Sequence, residues 1–257
     1  MNGEIITSLD NPMVKEARSL NDKKFRKFHG KFLVDGEKLV SEVVAGAADV
    51  DKIFVDASKL EKFGEILEKF DGTVVPVTTR VLESISENNT PQGIIAEVEM
   101  SPTVELELQK DAPLLILDRI QDPGNLGTII RTAAATGIQN IALIDCADPY
   151  SPKVVRSSAG GIFYTNLFRM SESEILDIVE SKDIRLYVAD MDGENIFSTQ
   201  VSHDRIALAI GNEGQGASAS LKANGIKLSL PMKSQMESLN AGVSASVIIY
   251  TLMGKDI

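Results

Sequence analysis

Short runs of apolar residues alternate along this chain with longer segments whose apolar positions recur at helical spacing. In the C-terminal half, the runs LLIL (114–117) and IALAI (206–210) contain no polar position. Uninterrupted apolar runs are typical of parallel strands that helices cover on both faces. The N-terminal half repeats the alternation of strand and helix with shorter runs. The pattern therefore predicts an α/β fold, with a parallel sheet between helices in the C-terminal half.

The same pattern predicts the individual elements. In the N-terminal half we expect helices over about 10–28 and 58–70, and strands at 32–35, 52–55, 73–77 and 93–99. In the C-terminal half we expect strands at 114–118, 141–145, 165–168, 185–190, 206–210 and 226–230, and a final helix over about 239–253. Helix boundaries are indicated by Ser151 with Pro152, by Ser171 with Glu174, and by Gly137 and Gly225.

Residues 100–113 (MSPTVELELQKDAP) interrupt this alternation. Two prolines and scattered charges occupy the segment, and neither helical nor strand periodicity continues through it. Such a composition is typical of a linker between domains. We therefore expect an N-terminal domain over 1–104 and a C-terminal domain over 105–257.

Composition and charge narrow the possible functions. The 257 residues are 43% hydrophobic and 25% charged, as in ordinary folded proteins, and the net charge is −11. An acidic total argues against binding nucleic acid over the whole surface. Residues 15–31 nevertheless carry seven basic and two acidic side chains, a local balance of +5. This basic segment is either a contact for phosphates or a solvated helix face, and the sequence alone leaves both open.

Cysteine and histidine content argues against several site types. Cys146 is the single cysteine and lies in an apolar stretch, so we expect a buried structural thiol. His29 and His203 are far apart and no cysteine pattern accompanies them, which disfavours a zinc site or a Ser-His-Asp triad. The chain has no apolar run of about 18 residues, and MNGEIITSLD lacks the pattern of a signal peptide. We therefore expect a cytoplasmic protein without a membrane segment.

Three loops that follow predicted strands are candidates for a site, because ligands of parallel sheets bind beyond the carboxyl ends of the strands. They span 119–137, 211–218 and 231–246 and contain Gly, Asn or Ser, which let a ligand approach the backbone. None matches the glycine-rich fingerprints of Rossmann dehydrogenases or P-loop NTPases. The polar candidates in these loops are Asn125, Arg131, Glu213, Ser238 and Asn240.

Local geometry gives two of these loops a more specific interpretation. Arg131 lies four residues after Gly127, so its side chain has room to extend toward the loop at 121–125. A solvent-facing arginine fits the same position equally well, and Glu213 equally fits an ordinary turn. The final helix carries small residues that permit close packing of another backbone. These are Ala241, Gly242, Ser244, Ala245 and Ser246.

Taken together, the segments DPGNLGTIIRTAAATG, IALAIGNEGQG and LSLPMKSQMESLNAGVSAS resemble the three motifs of the SpoU/TrmH family of RNA ribose 2′-O-methyltransferases, within the SPOUT superfamily. This resemblance covers about 114–253. The segments ITSLDNPMVKEARSL and KFLVDGEKLV are similar, more loosely, to the small α/β RNA substrate-binding domain that often precedes the catalytic domain. The resemblance implies a knotted parallel-sheet SPOUT domain behind a smaller α/β RNA-binding domain.

The resemblance also implies the chemistry of the protein. It implies transfer of a methyl group from S-adenosyl-L-methionine to a ribose 2′-OH of structured RNA, without a metal, by a homodimer with a trefoil knot. Ribosomal RNA is the first candidate substrate; transfer RNA, or a non-catalytic RNA-binding protein that retains the fold, is the alternative. We further expect the small-residue face of the final helix to pack against a second subunit.

The family motifs assign roles to residues of this sequence. The implied catalytic residues are Asn125, Arg131, Glu213, Ser238 and Asn240. The implied cofactor-binding residues are Ile210, Gly211, Asn212, Gly214, Leu230, Met232, Ser238 and Leu239. For RNA contacts we expect the basic segment, through Lys23, Lys24, Arg26 and Lys27. Because a guanidinium stays protonated in proteins, we expect Arg131 to stabilise negative charge and not to act as a base.

Overall fold

The structure is a computed structural model that describes residues 4–101, 106, 112–200, 205–212, 214–233 and 239–253. The chain forms two compact units. The first unit comprises Met1–Ser101 together with Tyr150–Arg156, and the second comprises Pro102–Pro149 together with Ser157–Ile257. A single domain boundary in the sequence does not predict that residues 150–156 belong to the first unit. Residues 102–105 lie outside the described residues, so the division between 104 and 105 stays a prediction.

The first unit is an α/β fold around a mixed sheet. Its strands are β1 (Lys31–Asp35), β2 (Val50–Asp56), β3 (Thr73–Val77) and β4 (Ile94–Glu99). Its helices include α1 (Pro12–Ser19), α2 (Lys23–His29), α3 (Glu37–Glu42), α4 (Gly64–Glu68) and α5 (Thr79–Ile85). The strand order is β1-β4-β2-β3, in which β2 and β3 are parallel and β4 is antiparallel to both neighbours. Apolar residues of α1, α5 and the sheet, such as Val14, Leu82 and Phe54, form one core.

Two predicted helices of the first unit are wrong in extent. The helix expected over 10–28 is two helices, because Asp22 caps a new helix by accepting a hydrogen bond from the Lys24 backbone N–H. The helix expected over 58–70 is a 3₁₀ turn at Ala57–Lys59 followed by the short α4. A local cap therefore divides the first of these segments, although its apolar spacing alone is compatible with one continuous helix.

The second unit is a parallel sheet with helices. Its strands are β5 (Leu114–Asp118), β6 (Asn140–Ile144), β7 (Asn166–Arg169), β8 (Arg185–Asn195), β9 (Ile206–Gly211) and β10 (Ile226–Ser229). They are arranged in the order β10-β8-β9-β5-β6-β7, and each neighbouring pair is parallel. The helices of this unit are α6 (Pro123–Ala135), α8 (Glu172–Ser181), α9 (Ala219–Asn224) and α10 (Ala241–Met253). Most of α7 (Pro152–Ser158) belongs to the first unit. The α/β fold class is confirmed.

Several predicted helix boundaries are confirmed by their local contacts. Ser171 and Glu174 form a capping box at the start of α8. Gly137 follows α6 with φ +75°, a left-handed conformation that favours glycine. Gly225 ends α9 in an extended conformation, with φ −125°. No helix within the described ranges is both long enough and apolar enough to span a bilayer. The path through residues 234–238 lies outside those ranges, so the implied knot stays a prediction.

Candidate active site

The first loop of the site is shaped by the start of α6. Asp122 is the N-cap of this helix, and its Oδ1 accepts a hydrogen bond of 2.8 Å from the Asn125 backbone N–H. A Cβ atom at Gly124 would lie 2.9 Å from the same carboxylate oxygen, so the loop is tight. Asn125 is thereby fixed in the first turn of α6, beyond the carboxyl end of β5.

Asn125 and Asn240 meet across the site. The Asn240 Nδ2 donates a hydrogen bond of 2.9 Å to the Asn125 Oδ1, although 115 residues separate the two in sequence. The Asn240 Oδ1 in turn accepts a hydrogen bond from the Val243 backbone N–H at the start of α10. Two of the residues that the family motifs assign to catalysis therefore lie together at the ends of α6 and α10.

The close approach of α6 and α10 depends on small side chains. A Cβ atom at Gly242 would lie 3.3 Å from the Asn125 Oδ1 and 3.4 Å from the Thr128 Cβ. One turn further along, the hydroxyls of Thr132 and Ser246 are 2.8 Å apart. The prediction that the small-residue face packs against a second subunit is therefore wrong, because α6 of the same chain already covers that face.

The second loop is held by a buried carboxylate that the sequence analysis did not single out. Asp118 ends β5 with its side chain buried, and it accepts hydrogen bonds from the Arg119 Nε at 2.8 Å and the Ser218 backbone N–H at 2.7 Å. Arg119 has φ +58° and also donates to the Gly216 carbonyl at 3.3 Å. These charge-assisted bonds tie the loop after β9 to the end of β5.

Asn212 and Gly211 fix the beginning of the same loop. The Asn212 Nδ2 donates to the Arg119 carbonyl at 3.1 Å, and its Oδ1 accepts from the Gly214 backbone N–H at 2.9 Å. A Cβ atom at Gly211 would lie 2.0 Å from the Ala217 backbone nitrogen, so only glycine permits this return of the chain. A charged residue directly after an entirely apolar strand is the signal from which Asp118 could have been found.

Among the described residues that the family motifs assign to catalysis, Arg131 makes no contact with the Asn125–Asn240 pair through a hydrogen bond. Arg131 is exposed on α6, and its guanidinium forms no hydrogen bond or ion pair with a described residue. Its backbone is nevertheless tightly packed, because a Cβ atom at Gly161 would lie 2.8 Å from the Arg131 Cα. Glu213 and Ser238 lie outside the described residues. The roles of all three stay predictions.

The implied cofactor-binding residues follow β9 and β10. Ile210 and Gly211 end β9, with Asn212 and Gly214 in the loop beyond it, and Leu230 and Met232 come just after β10. Both strands are parallel to β8, so their carboxyl ends lie at one edge of the sheet. Met232, just after β10, and Leu239, just before Asn240, expose large apolar side chains. Such side chains beside backbone polar groups fit an adenosyl group, which presents an apolar ring and polar edges.

The basic segment is only partly available to a ligand. Lys23, Lys24 and Lys27 are exposed on α2. Arg26 is 4% exposed, and its Nη1 donates to the carbonyls of Leu20 at 2.6 Å and Asn21 at 2.7 Å. The prediction that Arg26 contacts RNA is therefore wrong, because its guanidinium is used within the fold.

Cys146 is buried and free, as predicted, and burial raises the pKa of its thiol to about 11. Its Sγ donates to the Leu117 carbonyl at 3.1 Å. Among the residues that the structure describes, no group of three or more His, Cys, Asp or Glu side chains could hold a metal ion. His203 lies outside those residues, and His29 is half-buried at the end of α2.

Comparisons with known proteins agree with this architecture. Residues 112–250 match the SpoU rRNA Methylase family, and residues 11–96 match the MRM3-like substrate binding domain. The 23S rRNA (guanosine(2553)-2′-O)-methyltransferase RlmP of Bacillus subtilis is 31% identical over 252 residues, which cover 97% of this chain and 99% of that protein. The 23S rRNA (uridine(2479)-2′-O)-methyltransferase of Streptomyces viridochromogenes is 32% identical, with 86% and 82% covered.

Solved structures share the fold over nearly the whole chain. The SpoU methyltransferase AviRb of Streptomyces viridochromogenes in complex with the cofactor AdoMet has a TM-score of 0.86 and 29% identity, covering 96% of this chain and 98% of that one. The AdoMet-bound rRNA methyltransferase of Sinorhizobium meliloti has a TM-score of 0.85 and 26% identity, with 96% of each chain covered. The family model spans more than half of the sequence and includes all three site loops, so this chain belongs to the SpoU rRNA methylase family.

Proposed function

We propose that the protein transfers the methyl group of S-adenosyl-L-methionine to the 2′-hydroxyl of a ribose in ribosomal RNA. The observation that carries the proposal is the hydrogen bond between Asn125 and Asn240, which joins the first and third motif loops beyond the carboxyl ends of the strands. Two relatives that this chain matches over 99% and 82% of their length are named as 23S rRNA 2′-O-methyltransferases. These names favour ribosomal RNA over transfer RNA.

One group of residues binds the cofactor in this proposal. When bound, S-adenosyl-L-methionine supplies a methyl group on a positively charged sulfur. Met232 and Leu239 offer exposed apolar side chains to the cofactor. The Asp118 and Arg119 contacts fix the loop that carries Asn212 and Gly214, which follows Ile210, and Leu230 comes just after β10. A preformed loop lowers the cost of ordering the site when the cofactor binds.

In this proposal Asn125 and Asn240 orient the ribose, and Arg131 provides positive charge. The 2′-oxygen gains negative character as its proton leaves, and a guanidinium can stabilise this charge or the adjacent phosphate. Arg131 does not take up the proton, since its guanidinium is already protonated. Water or a phosphate oxygen receives it. Glu213 and Ser238 complete the set of proposed catalytic residues.

A methylation assay tests the proposal directly. Purified protein is incubated with tritiated S-adenosyl-L-methionine and unmodified ribosomal RNA, and parallel reactions contain unmodified transfer RNA. We expect label in ribosomal RNA that survives alkaline hydrolysis as a dinucleotide, because a 2′-O-methyl group blocks cleavage at the following phosphate. Label on a base, or label confined to transfer RNA, contradicts the proposal. Titration of S-adenosyl-L-methionine by calorimetry separates an enzyme from a non-catalytic RNA-binding protein, which has no use for the cofactor.

We also propose that the protein is a cytoplasmic homodimer. Val243, Val247 and Tyr250 lie three and four residues apart on α10, and thus on one face of that helix. Val243 and Tyr250 are about half exposed in the single chain. The neighbouring side of the helix, which carries Gly242 and Ser246, is already packed against α6. The free Cys146 thiol fits a reducing compartment.

A further inference from the structure

We propose that α2 is a platform for unpaired RNA nucleotides, on which the Phe28 ring stacks against a base while Lys23, Lys24 and Lys27 contact the neighbouring phosphates. The inference rests on the proposed function for the existence of an RNA substrate. It adds the recognition of single-stranded nucleotides by a surface of the first unit that lies outside the three motif loops.

The exposure of aromatic side chains on α2 is the first observation. Phe28 is 80% exposed and Phe25 is 39% exposed, on a helix of seven residues. Among the phenylalanines, which all fall within the described ranges, Phe197 is the other exposed one. Phe28 makes an edge-to-face contact with His29, with 4.9 Å between the ring centroids, and most of its ring is left to solvent. Water-exposed aromatic faces are the surfaces on which unpaired bases stack.

Uncompensated positive charge on the same helix is the second observation. No described residue forms an ion pair with Lys23, Lys24 or Lys27. By contrast, Lys15 is paired with Asp10 at 2.8 Å, and Lys31 is paired with Asp51 at 2.6 Å. In a chain with a net charge of −11, three lysines on one helix that no described carboxylate pairs with are complementary to a polyanion.

The spacing on α2 places charges beside rings. Phe25 and Phe28 are three residues apart, and Lys24 and Phe28 are four apart, so these side chains share one side of the helix. The Lys24 Nζ lies 5.8 Å from the centroid of the Phe25 ring. An aromatic ring flanked by ammonium groups matches a nucleotide, which joins a flat base to charged phosphates.

The backbone of α2 is fixed by hydrogen bonds at both of its ends and through the buried Arg26. The buried Arg26 ties α2 to the carbonyls of Leu20 and Asn21 at the end of α1. Asp22 caps the start of α2, and Gly30 ends it with φ +68° and a hydrogen bond to the Arg26 carbonyl. The exposed side chains therefore project from a fixed backbone, which reduces the entropy lost on binding.

Contact with Phe28 distinguishes unpaired RNA from duplex RNA and from a protein partner. A duplex offers phosphates but hides the faces of its bases, whereas an unpaired segment offers both. If Phe28 instead binds a protein partner, its environment should depend on neither the phosphates nor the bases of an RNA probe. Binding that depends on the presence of bases is therefore the property to measure.

The chain contains no tryptophan, so Phe28→Trp introduces a single fluorophore at the platform that keeps an aromatic face. Three probes are titrated without cofactor: an oligoadenylate RNA of about twelve nucleotides, an abasic ribose-phosphate chain of equal length, and a blunt RNA duplex. We expect oligoadenylate to quench the introduced tryptophan and the abasic chain and the duplex to leave it nearly unchanged. Equal quenching by the abasic chain, or no quenching by any RNA, overturns the proposal and points to a protein contact.

Two alanine variants provide a matched comparison. Phe28→Ala should weaken oligoadenylate binding about fivefold to a hundredfold, the range for loss of one stacking side chain, without changing the affinity for the abasic chain. Phe197→Ala removes another exposed ring, 62% exposed in the second unit, and should leave binding unchanged. Equal losses in both variants overturn the proposal. Phe28 is largely in solvent, so its replacement should leave the unfolding temperature unaltered, which circular dichroism checks.

Replacing Lys23, Lys24 and Lys27 together with serine tests the charge. This variant should lower the slope of log affinity against log salt by about two, since each single-strand phosphate contact contributes roughly 0.7. An unchanged slope overturns the phosphate contacts. The result is independent of catalysis: methylation of ribosomal RNA without base-dependent quenching contradicts the platform alone, and quenching without methylation contradicts the proposed function alone.

Discussion

Arg131 combines a fixed backbone with an exposed side chain. The Gly161 backbone packs against its Cα, while no described residue pairs with its guanidinium. A structural arginine of a single chain would be expected to form an ion pair or to cover apolar surface. An exposed, unpaired guanidinium on the helix that carries Asn125 is instead suited to meet a charge that arrives with the substrate.

Arg131→Ala should therefore lower methyl transfer by roughly a hundredfold or more, the effect of removing one preorganised electrostatic group. Binding of S-adenosyl-L-methionine and the unfolding temperature should stay nearly unchanged. Single-turnover methylation of RNA measures the first effect, and calorimetry measures the second. A parent-like rate in this variant would show that Arg131 is an ordinary surface residue.

Arg131→Lys separates charge from shape. Lysine restores the positive charge but not the planar fork of the guanidinium. Partial recovery of the rate supports stabilisation of charge on the 2′-oxygen. Absence of recovery, with the fold intact, supports bidentate positioning of a phosphate or ribose. Arg185→Ala, at an exposed position of β8, serves as the control for loss of a surface arginine.

Sequence patterns located the polar residues of the site but not the buried charges that support it. Asn125 and Asn240 were identified because each follows a predicted strand, and strands of a parallel sheet end at one edge. Asp118 and Arg26 were not identified as structural residues. A buried carboxylate or guanidinium depends on partners distant in sequence, such as Ser218 for Asp118, and no local periodicity reports these.

At the scale of elements, uninterrupted apolar strands were predicted well and helix lengths less well. The limits of β3 and β5 agree with the prediction because turn residues bound their apolar runs. β8 continues to Asn195, beyond the predicted 190, since its last residues pair with β10 in spite of their polarity. Residues that pair with a neighbouring strand only through their backbone carry no hydrophobic pattern that would predict the pairing.

The packing of α6 on α10 makes a prediction about Gly242. In Gly242→Val, the added side chain meets the Asn125 Oδ1 and the Thr128 Cβ, whose distances to a Cβ atom are already 3.3 Å and 3.4 Å. We expect a loss of stability of about 1–3 kcal/mol, typical of overpacking, and a larger relative loss of methyl transfer because Asn125 and Asn240 separate. Urea unfolding and single-turnover rates measure the two effects.

Gly64→Val is the matched control for this substitution. Gly64 begins α4 in the first unit, and apart from its chain neighbours and its own helix backbone no atom would lie within 4 Å of a Cβ atom there, so an added side chain meets open space. The control should keep parent-like methyl transfer. A Gly242→Val variant that is as active as the control would contradict the close contact between the two helices.

At the scale of the whole molecule, acid stability depends on a buried charge network in the first unit. Lys31 and Lys52 both donate to the buried Glu97 and to Asp51. Burial acts to raise the pKa of Asp51, but the hydrogen bonds from the two lysines outweigh it and lower the pKa from 3.8 to about 2. For Glu97, by contrast, burial raises the pKa, so ionised Glu97 does not add to the stability that ionised Asp51 provides.

The sign of the Asp51 effect follows from its lowered pKa. The group contributes stability that is fully present above about pH 4 and is lost as the pH falls toward 2. Asp51→Asn should therefore be less stable than the parent near pH 6, and the difference should shrink between pH 4 and pH 2. Urea unfolding followed by circular dichroism measures this. Asp49→Asn, at an exposed position, should show a constant difference, and a constant difference for Asp51→Asn as well would contradict the network.

The last prediction concerns assembly. Val243, Val247 and Tyr250 leave an apolar stripe on the face of α10 that α6 does not cover, and burial of such a stripe favours association. We expect sedimentation at micromolar concentration to give twice the 27.8 kDa of one chain. Tyr250→Lys should shift the protein toward the monomer, because it places a charge in the contact, whereas Phe197→Lys should not. A parent protein that sediments as a monomer would contradict the dimer, and a Tyr250→Lys variant that stays dimeric would move the contact away from α10.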